Sequence, residues 1–276
     1  MSNVRIVLEI GINHQGSLEI ANQLIDMGVR AGVSLVKFQI KTPELSLPKN
    51  LWERPKETPW GTIDTYINYR RAMEFSVEQF KLLDRHCAIA GIRWFASVWD
   101  VPALEKLVEF FVPYIKIPSA ALTNDPLLKA INKSKYKVIL STGMSTLVEI
   151  DRAVSLLSDV DVTLLHCHSA YPSPDEEQSL SIIDVLRKRY KLPVGFSSHA
   201  TSPFVPLAAV SRYGVCMVEV HGTLSRSMFG SDHAASLEEK GISLLVREVQ
   251  RLDILHGTGE KEVWPGEIAA KARLRV

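Results

Sequence analysis

The sequence predicts an α/β fold of the (β/α)8 barrel type, the TIM barrel, and three observations carry that reading. Short apolar runs rich in β-branched residues alternate with longer stretches of helical periodicity, the signature of βα units around a parallel sheet. Eight such strand and helix pairs can be marked along the chain. The length, 276 residues, is close to the ~250 that one such barrel occupies, so residues 1–276 read as a single barrel domain.

The first strand is Ile6–Ile10, after which the Ser17 hydroxyl can cap a helix over Leu18–Ala31. The second strand, Leu35–Gln39, is followed by a stretch that breaks the rhythm. Residues 41–75 contain Pro43, Pro48, Pro55 and Pro59 and a charged helical piece around Tyr66–Met73, too long for an ordinary connection. Leaving the carboxyl end of a barrel strand, this insertion falls among the loops that build active sites, as a lid or wall, with a subunit-contact arm as the alternative. Ser76 with Gln79 forms a capping-box pattern for the next helix, and Asp100 caps Val101–Phe110. The remaining strands are Arg93–Ser97, Tyr114–Ile117, Val138–Ser141, Val162–Cys167, Val194–Ser197 and Met217–Val220. A last helix over Leu237–Leu255 carries Ile242, Leu244, Leu245, Val249 and Leu252 at a spacing that buries one face, and the tail from Gly257 reads as short and polar.

Composition narrows the function classes. With 46% hydrophobic and 23% charged residues, the chain can bury a large core. Its net charge of +1 provides no global field for nucleic acid or an anionic membrane, so an anionic ligand has to be caught locally. Cys87, Cys167 and Cys216 lack the C-x-x-C spacing of a thiolate metal site and suit a reducing cytoplasm. No basic leader precedes the first strand and no long apolar window follows it, so a cytoplasmic protein is expected.

What ends each strand carries the functional signal. Glu9, Lys37 and Gln39, Ser97, Lys116 with Ser119, Ser141, His166 and His168, Ser197 and His199, and Glu219 and His221 all fall at one rim of the predicted barrel. Residues two apart share a face, so Lys37/Gln39, Ser197/His199 and Glu219/His221 can project into one cavity. Burying so many ionisable groups is costly, and active sites are where that cost is commonly met. Lys37 and Lys116, with hydroxyls at Ser119, Ser141, Ser169 and Ser197, suit a phosphate or carboxylate. Either lysine could instead pair with a carboxylate across the barrel, or act as a Schiff-base nucleophile. His199 and His221 close consecutive strands and could share a metal ion, or stand as two rim histidines without one. His166 and His168 flank Cys167 and are open to reading as ligands, an acid–base pair or core polar residues.

Eight segments in order now acquire a common meaning: Glu9-Ile-Gly-Ile-Asn-His14, Val36-Lys-Phe-Gln39, Tyr114-Ile-Lys-Ile-Pro-Ser119, Leu140-Ser-Thr-Gly-Met144, Leu165-His-Cys-His-Ser-Ala-Tyr171, Pro193-Val-Gly-Phe-Ser-Ser-His199, Glu219-Val-His221, and Gly230-Ser-Asp232 running on to Ser236. Together they resemble the sialic acid synthase family, which condenses phosphoenolpyruvate with N-acetylmannosamine or a related amino sugar. The resemblance implies a divalent metal on His199 and His221, manganese above magnesium, cobalt or zinc. It implies phosphoenolpyruvate contacts from Lys37, Ser97, Lys116, Ser119, Ser141, Ser169 and Ser197, with Gln39 and Tyr171 near the sugar. Glu9 is the foremost candidate for proton handling, with His166, His168 and Asp232 behind it. A homodimer is also implied.

Three departures matter. These synthases commonly carry a small antifreeze-like domain after the barrel that supplies an arginine to the sugar site, and this sequence ends at Val276 without it. The insertion with Arg70 and Arg71, a neighbouring subunit or a separate polypeptide is expected to complete the pocket. Ala120 and Ala121 stand where the family often has an acid, and Ser198 stands where it has Asp before the metal histidine. Phosphoenolpyruvate synthases of other deoxy-ulosonic acids, and a sugar-acid binding protein without turnover, are the alternatives.

Overall fold

The structure, a computed structural model, describes residues 4–59 and 61–275. The chain runs β1 (Arg5–Gly11), α1 (Leu18–Ala31), β2 (Leu35–Ile40), α2 (Pro43–Ser46), β3 (Lys56–Thr58), β4 (Gly61–Ile63), α3 (Tyr66–Ala72) and α4 (Val77–Ala90). It continues with β5 (Arg93–Val98), α5 (Val101–Leu107), β6 (Ile115–Ile117), α6 (Asp125–Asn132), β7 (Val138–Ser141), α7 (Leu147–Leu156) and β8 (Val162–Cys167). It closes with α8 (Ile182–Tyr190), β9 (Val194–Ser198), α9 (Phe204–Tyr213), β10 (Met217–His221), α10 (Glu239–His256) and α11 (Pro265–Leu274).

Among the described residues, eight parallel strands close into a barrel in the order β1-β10-β9-β8-β7-β6-β5-β2, and the predicted (β/α)8 class is the observed one. The register pairs Glu9 with His221 and with Lys37, and Glu219 with Ser197, so strand-end polar residues lie side by side. The predicted caps form: Ser17 accepts from the Ile20 N–H, Ser76 and Gln79 make the reciprocal box, and Asp100 accepts from the Ala103 N–H. Each satisfies a backbone donor left over at a helix start.

Strand alternation divides the core into two shells. Leu8, Val36, Phe38, Trp94 and Phe196 point outward and are buried under the helices, where Phe80 of α4 stacks on Trp94 at 5.5 Å between centroids. Contacts of this kind remove large apolar surfaces from water and hold helix to sheet. The inward residues at the carboxyl ends of the strands are polar, which positions the site.

The insertion packs down on this end of the barrel. Asp100 accepts from the Thr42 N–H at 2.7 Å and from its hydroxyl at 2.9 Å, fixing the insertion's start to the N-cap of α5. Ile67, Tyr69, Met73 and Phe75 are buried, and Tyr69 meets Phe229 of the loop after β10 edge to face. Gly16, at φ 74°, allows the β1–α1 turn to lie against α3, because a Cβ there would fall 2.2 Å from the Ala72 carbonyl oxygen. Beyond α10 the tail is not simply polar: α11 forms, and Trp264, Ile268 and Leu274 are exposed. No helix among the described residues is long and apolar enough to cross a membrane.

Candidate active site

A cavity opens at the carboxyl ends of the strands, lined by Glu9, Lys37, Gln39, Ser97, Lys116, Ser119, Ser141, Ser169, Tyr171, Ser197, His199 and His221 of the sequence-predicted set. At its floor the Lys37 ammonium lies 2.5 Å from Glu9 and 3.6 Å from Glu219, and donates to the Ser97 hydroxyl at 2.8 Å. Lys116 donates to Glu219 at 2.5 Å. These buried groups form an alternating set of two cations and two carboxylates. Burial by itself raises the Glu219 carboxyl, but Lys116 and Lys37 overcome that and bring it down to about 2. Burial lowers Lys37, with Glu219 and Glu9 opposing, whereas at Lys116 the two carboxylates outweigh burial and raise it. Of the readings the sequence left open, direct pairing of both lysines with carboxylates is therefore the one present.

The imidazoles of His199 and His221 stand 5.3 Å apart between centroids, and the Tyr171 ring stacks on His199 at 3.9 Å. His199 Nδ1 faces the His168 carbonyl, which fixes the ring and leaves Nε2 with its lone pair. Burial, reinforced by the neighbouring His221, lowers His199 to about 3, so it is neutral near pH 7 as a metal ligand must be. Both nitrogens of His221 are buried without a hydrogen-bond partner among the described residues, as are the Ser141 hydroxyl and Glu219 Oε2. Orphaned polar atoms on the wall of one cavity point to ligands that complete them. Two available imidazoles fit a borderline divalent cation, although no cluster of three or more protein ligands is found among the described residues.

Three candidates lie off the cavity wall. His166 points outward from β8, its Nε2 2.8 Å from the Gln178 carbonyl and its ring against Phe196. Strand alternation therefore turns Cys167 inward instead, 3.2 Å from the Ser119 hydroxyl. His168 lies past the strand end with its ring 2.9 Å from Glu177, and it serves the cavity only through its backbone carbonyl. Asp232 stands at the mouth on the loop after β10, 3.7 Å from His221 Nε2.

Trp99, Pro118, Ala120, Met144, Cys167 and Glu219 complete the lining. Trp99 and Cys167 could have been found by parity, since each lies two residues from a predicted lining serine. Gly143 draws several segments together: its N–H donates to the Ser119 hydroxyl at 3.0 Å. A Cβ there would fall 2.3 Å from Ser169 Oγ and 2.9 Å from both Cys167 Sγ and Ser119 Oγ.

A parallel barrel whose strand ends bring buried lysines, carboxylates and paired imidazoles into one polar cavity is an enzyme scaffold with an anion-binding centre. The chain belongs to the NeuB family, which matches residues 24–261. It is 33% identical to the N,N'-diacetyllegionaminic acid synthase of Campylobacter jejuni, over 97% of this chain and 81% of that protein. It is 34% identical to the human N-acetylneuraminate-9-phosphate synthase, over 98% of this chain and 76% of the relative. The crystal structure of the N-acetylneuraminic acid synthetase of Leptospira borgpetersenii in complex with citrate superposes with a TM-score of 0.84 at 34% identity. That match covers 99% of this chain and 92% of the other. The resemblance to sialic acid synthases and the assignment as an enzyme of that type both hold.

Proposed function

We propose that the protein condenses phosphoenolpyruvate with N-acetylmannosamine or a related amino sugar, forming a nonulosonic acid and phosphate. The observation that carries this reading is the cavity floor, where Lys37 and Lys116 meet Glu9 and Glu219 beside two available imidazoles.

In this reading the phosphate and carboxylate of phosphoenolpyruvate take Lys37 and Lys116 as charge-assisted partners. The hydroxyls of Ser97, Ser119, Ser141, Ser169 and Ser197 set the substrate's orientation. His199 and His221 would hold a divalent cation, manganese foremost, which when bound polarises the aldehyde of the open-chain sugar. Gln39 and Tyr171 line the sugar side, with Asp232 beside them at the mouth. The enol carbon attacks the aldehyde carbon, and the sugar oxygen takes up a proton. Water then adds to the cationic carbon left on the phosphoenolpyruvate moiety, and phosphate departs by C–O cleavage to leave a ketone. Substrate binding also changes the carboxylates. Once the lysines turn to the anion, Glu219 loses much of the positive field that lowers its carboxyl, and either it or Glu9 can accept the proton released by water. Gln39 donates to Glu9 at 2.7 Å and orients it for that role.

A homodimer and a single barrel domain belong to the same proposal. The test is phosphate release from phosphoenolpyruvate with manganese and a panel of acetamido and phosphorylated sugars, with and without chelator. Chelator-sensitive release with an amino sugar is expected. Release only with aldose phosphates lacking the amino group would point to another deoxy-ulosonate synthase. Ligand binding with no release from any sugar would indicate a binding protein.

A further inference from the structure

Gln39 lies between two opposite charges. Its Nε2 donates to Glu9 Oε1 at 2.7 Å, and its Oε1 accepts from the Lys41 ammonium at 2.9 Å. An amide that bridges a carboxylate and an ammonium has one favourable orientation, because the ammonium only donates and the carboxylate only accepts. Turning the amide over would set oxygen against Glu9 and an NH2 group against Lys41, two repulsive contacts in place of two charge-assisted hydrogen bonds. Asp232 adds to the bias. A Cβ on Gly11 would fall 3.2 Å from both Gln39 Nε2 and Glu9 Oε1 and 3.6 Å from Asp232 Oδ2, so a second carboxylate borders the nitrogen end of the amide.

Lys41, the first residue past β2, is not part of the cavity lining, although Gln39 and Trp99 on either side of its ammonium both are. It is 5% exposed, its ammonium rests 4.2 Å from the Trp99 ring centroid, and the one hydrogen bond the ammonium makes among the described residues is to Gln39. Glu74 of the insertion accepts from the Lys41 backbone N–H at 3.1 Å and so fixes where the side chain starts. Burial chiefly lowers the ammonium, to about 8, and leaves it a cation near pH 7. A buried cation held by one neutral amide and an aromatic face is costly for folding alone, and functional sites are where such costs are accepted.

We propose that Lys41 is a positioning residue: by holding the Gln39 amide oxygen it turns the amide nitrogen toward Glu9 and the cavity, which orients the Glu9 carboxylate and makes Gln39 a donor to an oxygen of the acceptor sugar. The inference rests on the reading of the cavity as a phosphoenolpyruvate and amino-sugar site. Without Lys41 the amide is free to turn over. Its oxygen would then repel Glu9 and present an acceptor where the sugar meets the wall. Lys41 touches neither substrate and acts through Gln39.

The test is a double-mutant cycle on the full chain, read as phosphate release from phosphoenolpyruvate with manganese and the acetamido sugar that the wild type turns over fastest. The proteins compared are the wild type, Lys41→Met, Lys41→Gln, Lys41→Arg, Gln39→Ala and Lys41→Met combined with Gln39→Ala. Lys41→Met is expected to lower kcat/KM for the sugar by about tenfold or more, the scale of one hydrogen bond to a charged group. Calorimetric affinity for phosphoenolpyruvate should change little, since Lys37 and Lys116 carry that anion. Lys41→Gln, which can donate or accept, should fall with Lys41→Met, and Lys41→Arg, which only donates, should recover part of the rate. In the Gln39→Ala background Lys41→Met should alter kcat/KM by no more than about twofold, because no amide remains for it to orient. A lysine that only supported the fold would lower both backgrounds equally, so equal loss overturns the proposal, as does a Lys41→Met rate equal to that of the wild type. If circular dichroism shows Lys41→Met unfolded, Lys41→Gln takes its place in the cycle. If the wild type releases no phosphate with any amino sugar, the functional reading falls and takes the role of Lys41 with it.

Discussion

Lys116 and Glu219 stand on strands four places apart in a ring of eight, diametrically opposite, yet their charged atoms are 2.5 Å apart. Two long side chains cross the full width of the barrel at a level where other barrels commonly fill with branched apolar residues. The pair joins opposite walls and sets the charge pairing at the cavity floor.

Breaking that pair from one side leaves a buried charge without its partner. Lys116→Met or Glu219→Gln alone should cost about 3–5 kcal/mol of stability. The double variant should cost clearly less than the sum of the singles. Urea unfolding of all four proteins measures this, and additive losses would mean that the two groups are not energetically coupled.

Lys37 also touches Ser97 and Glu9 and is proposed to hold phosphoenolpyruvate. Lys37→Ala should weaken that substrate by about 1.5–3 kcal/mol, the scale of a hydrogen bond to a charged group, with little change in affinity for the sugar. Equal loss for both ligands would place the anion elsewhere.

His221, with neither ring nitrogen hydrogen-bonded among the described residues, is proposed to hold the metal together with His199. His221→Ala should abolish manganese binding and chelator-sensitive turnover while leaving the circular dichroism spectrum unchanged. Retained manganese affinity would remove both histidines from that role.

At Gly143 a methyl group meets three side-chain heteroatoms at 2.9 Å or less. Gly143→Ala should cost about 1–3 kcal/mol through overpacking and raise KM for phosphoenolpyruvate by displacing Ser119 and Ser169. Unchanged kinetics would show that these hydroxyls do not hold the substrate.

Acid should destabilise the protein in a defined window. Burial chiefly lowers His14, and Lys41 adds to that shift; His14 and His199 both fall from 6.5 to about 3. Between those values the unfolded chain binds protons that the native state refuses, so stability rises with pH, by about 1.4 kcal/mol per pH unit for each histidine. The gain is complete above about pH 6.5, the ordinary histidine value. Urea midpoints at pH 7.0, 6.0 and 5.0 measure the slope, which His14→Gln should reduce. A flat profile would contradict the burial of these rings.

The barrel was legible because its signals are local. Period-two apolar runs, capping hydroxyls at Ser17, Ser76 and Asp100, and an eightfold alternation need no knowledge of distant contacts. The same periodicity places Lys37, Gln39, Ser97, Lys116, Ser141, Ser197, His199 and His221 at one rim, where all of them line the cavity. At β8 the shared face of His166 and His168 suggested two rim histidines, and neither side chain lines the cavity. Cys167 is the inward residue, because strand alternation turns the residues on either side away.

The sequence by itself determined which residues reach the carboxyl end of the barrel, since that depends only on strand position and parity. Tertiary structure decided how they combine: that Lys116 meets Glu219 across the diameter, that the His168 carbonyl orients His199, and that Arg71 is held by Glu44. Those pairings depend on barrel closure and on the path of residues 41–75 over its mouth. Both bring residues far apart in the chain within a few ångströms, where charge and hydrogen bonding act but local sequence patterns carry no information.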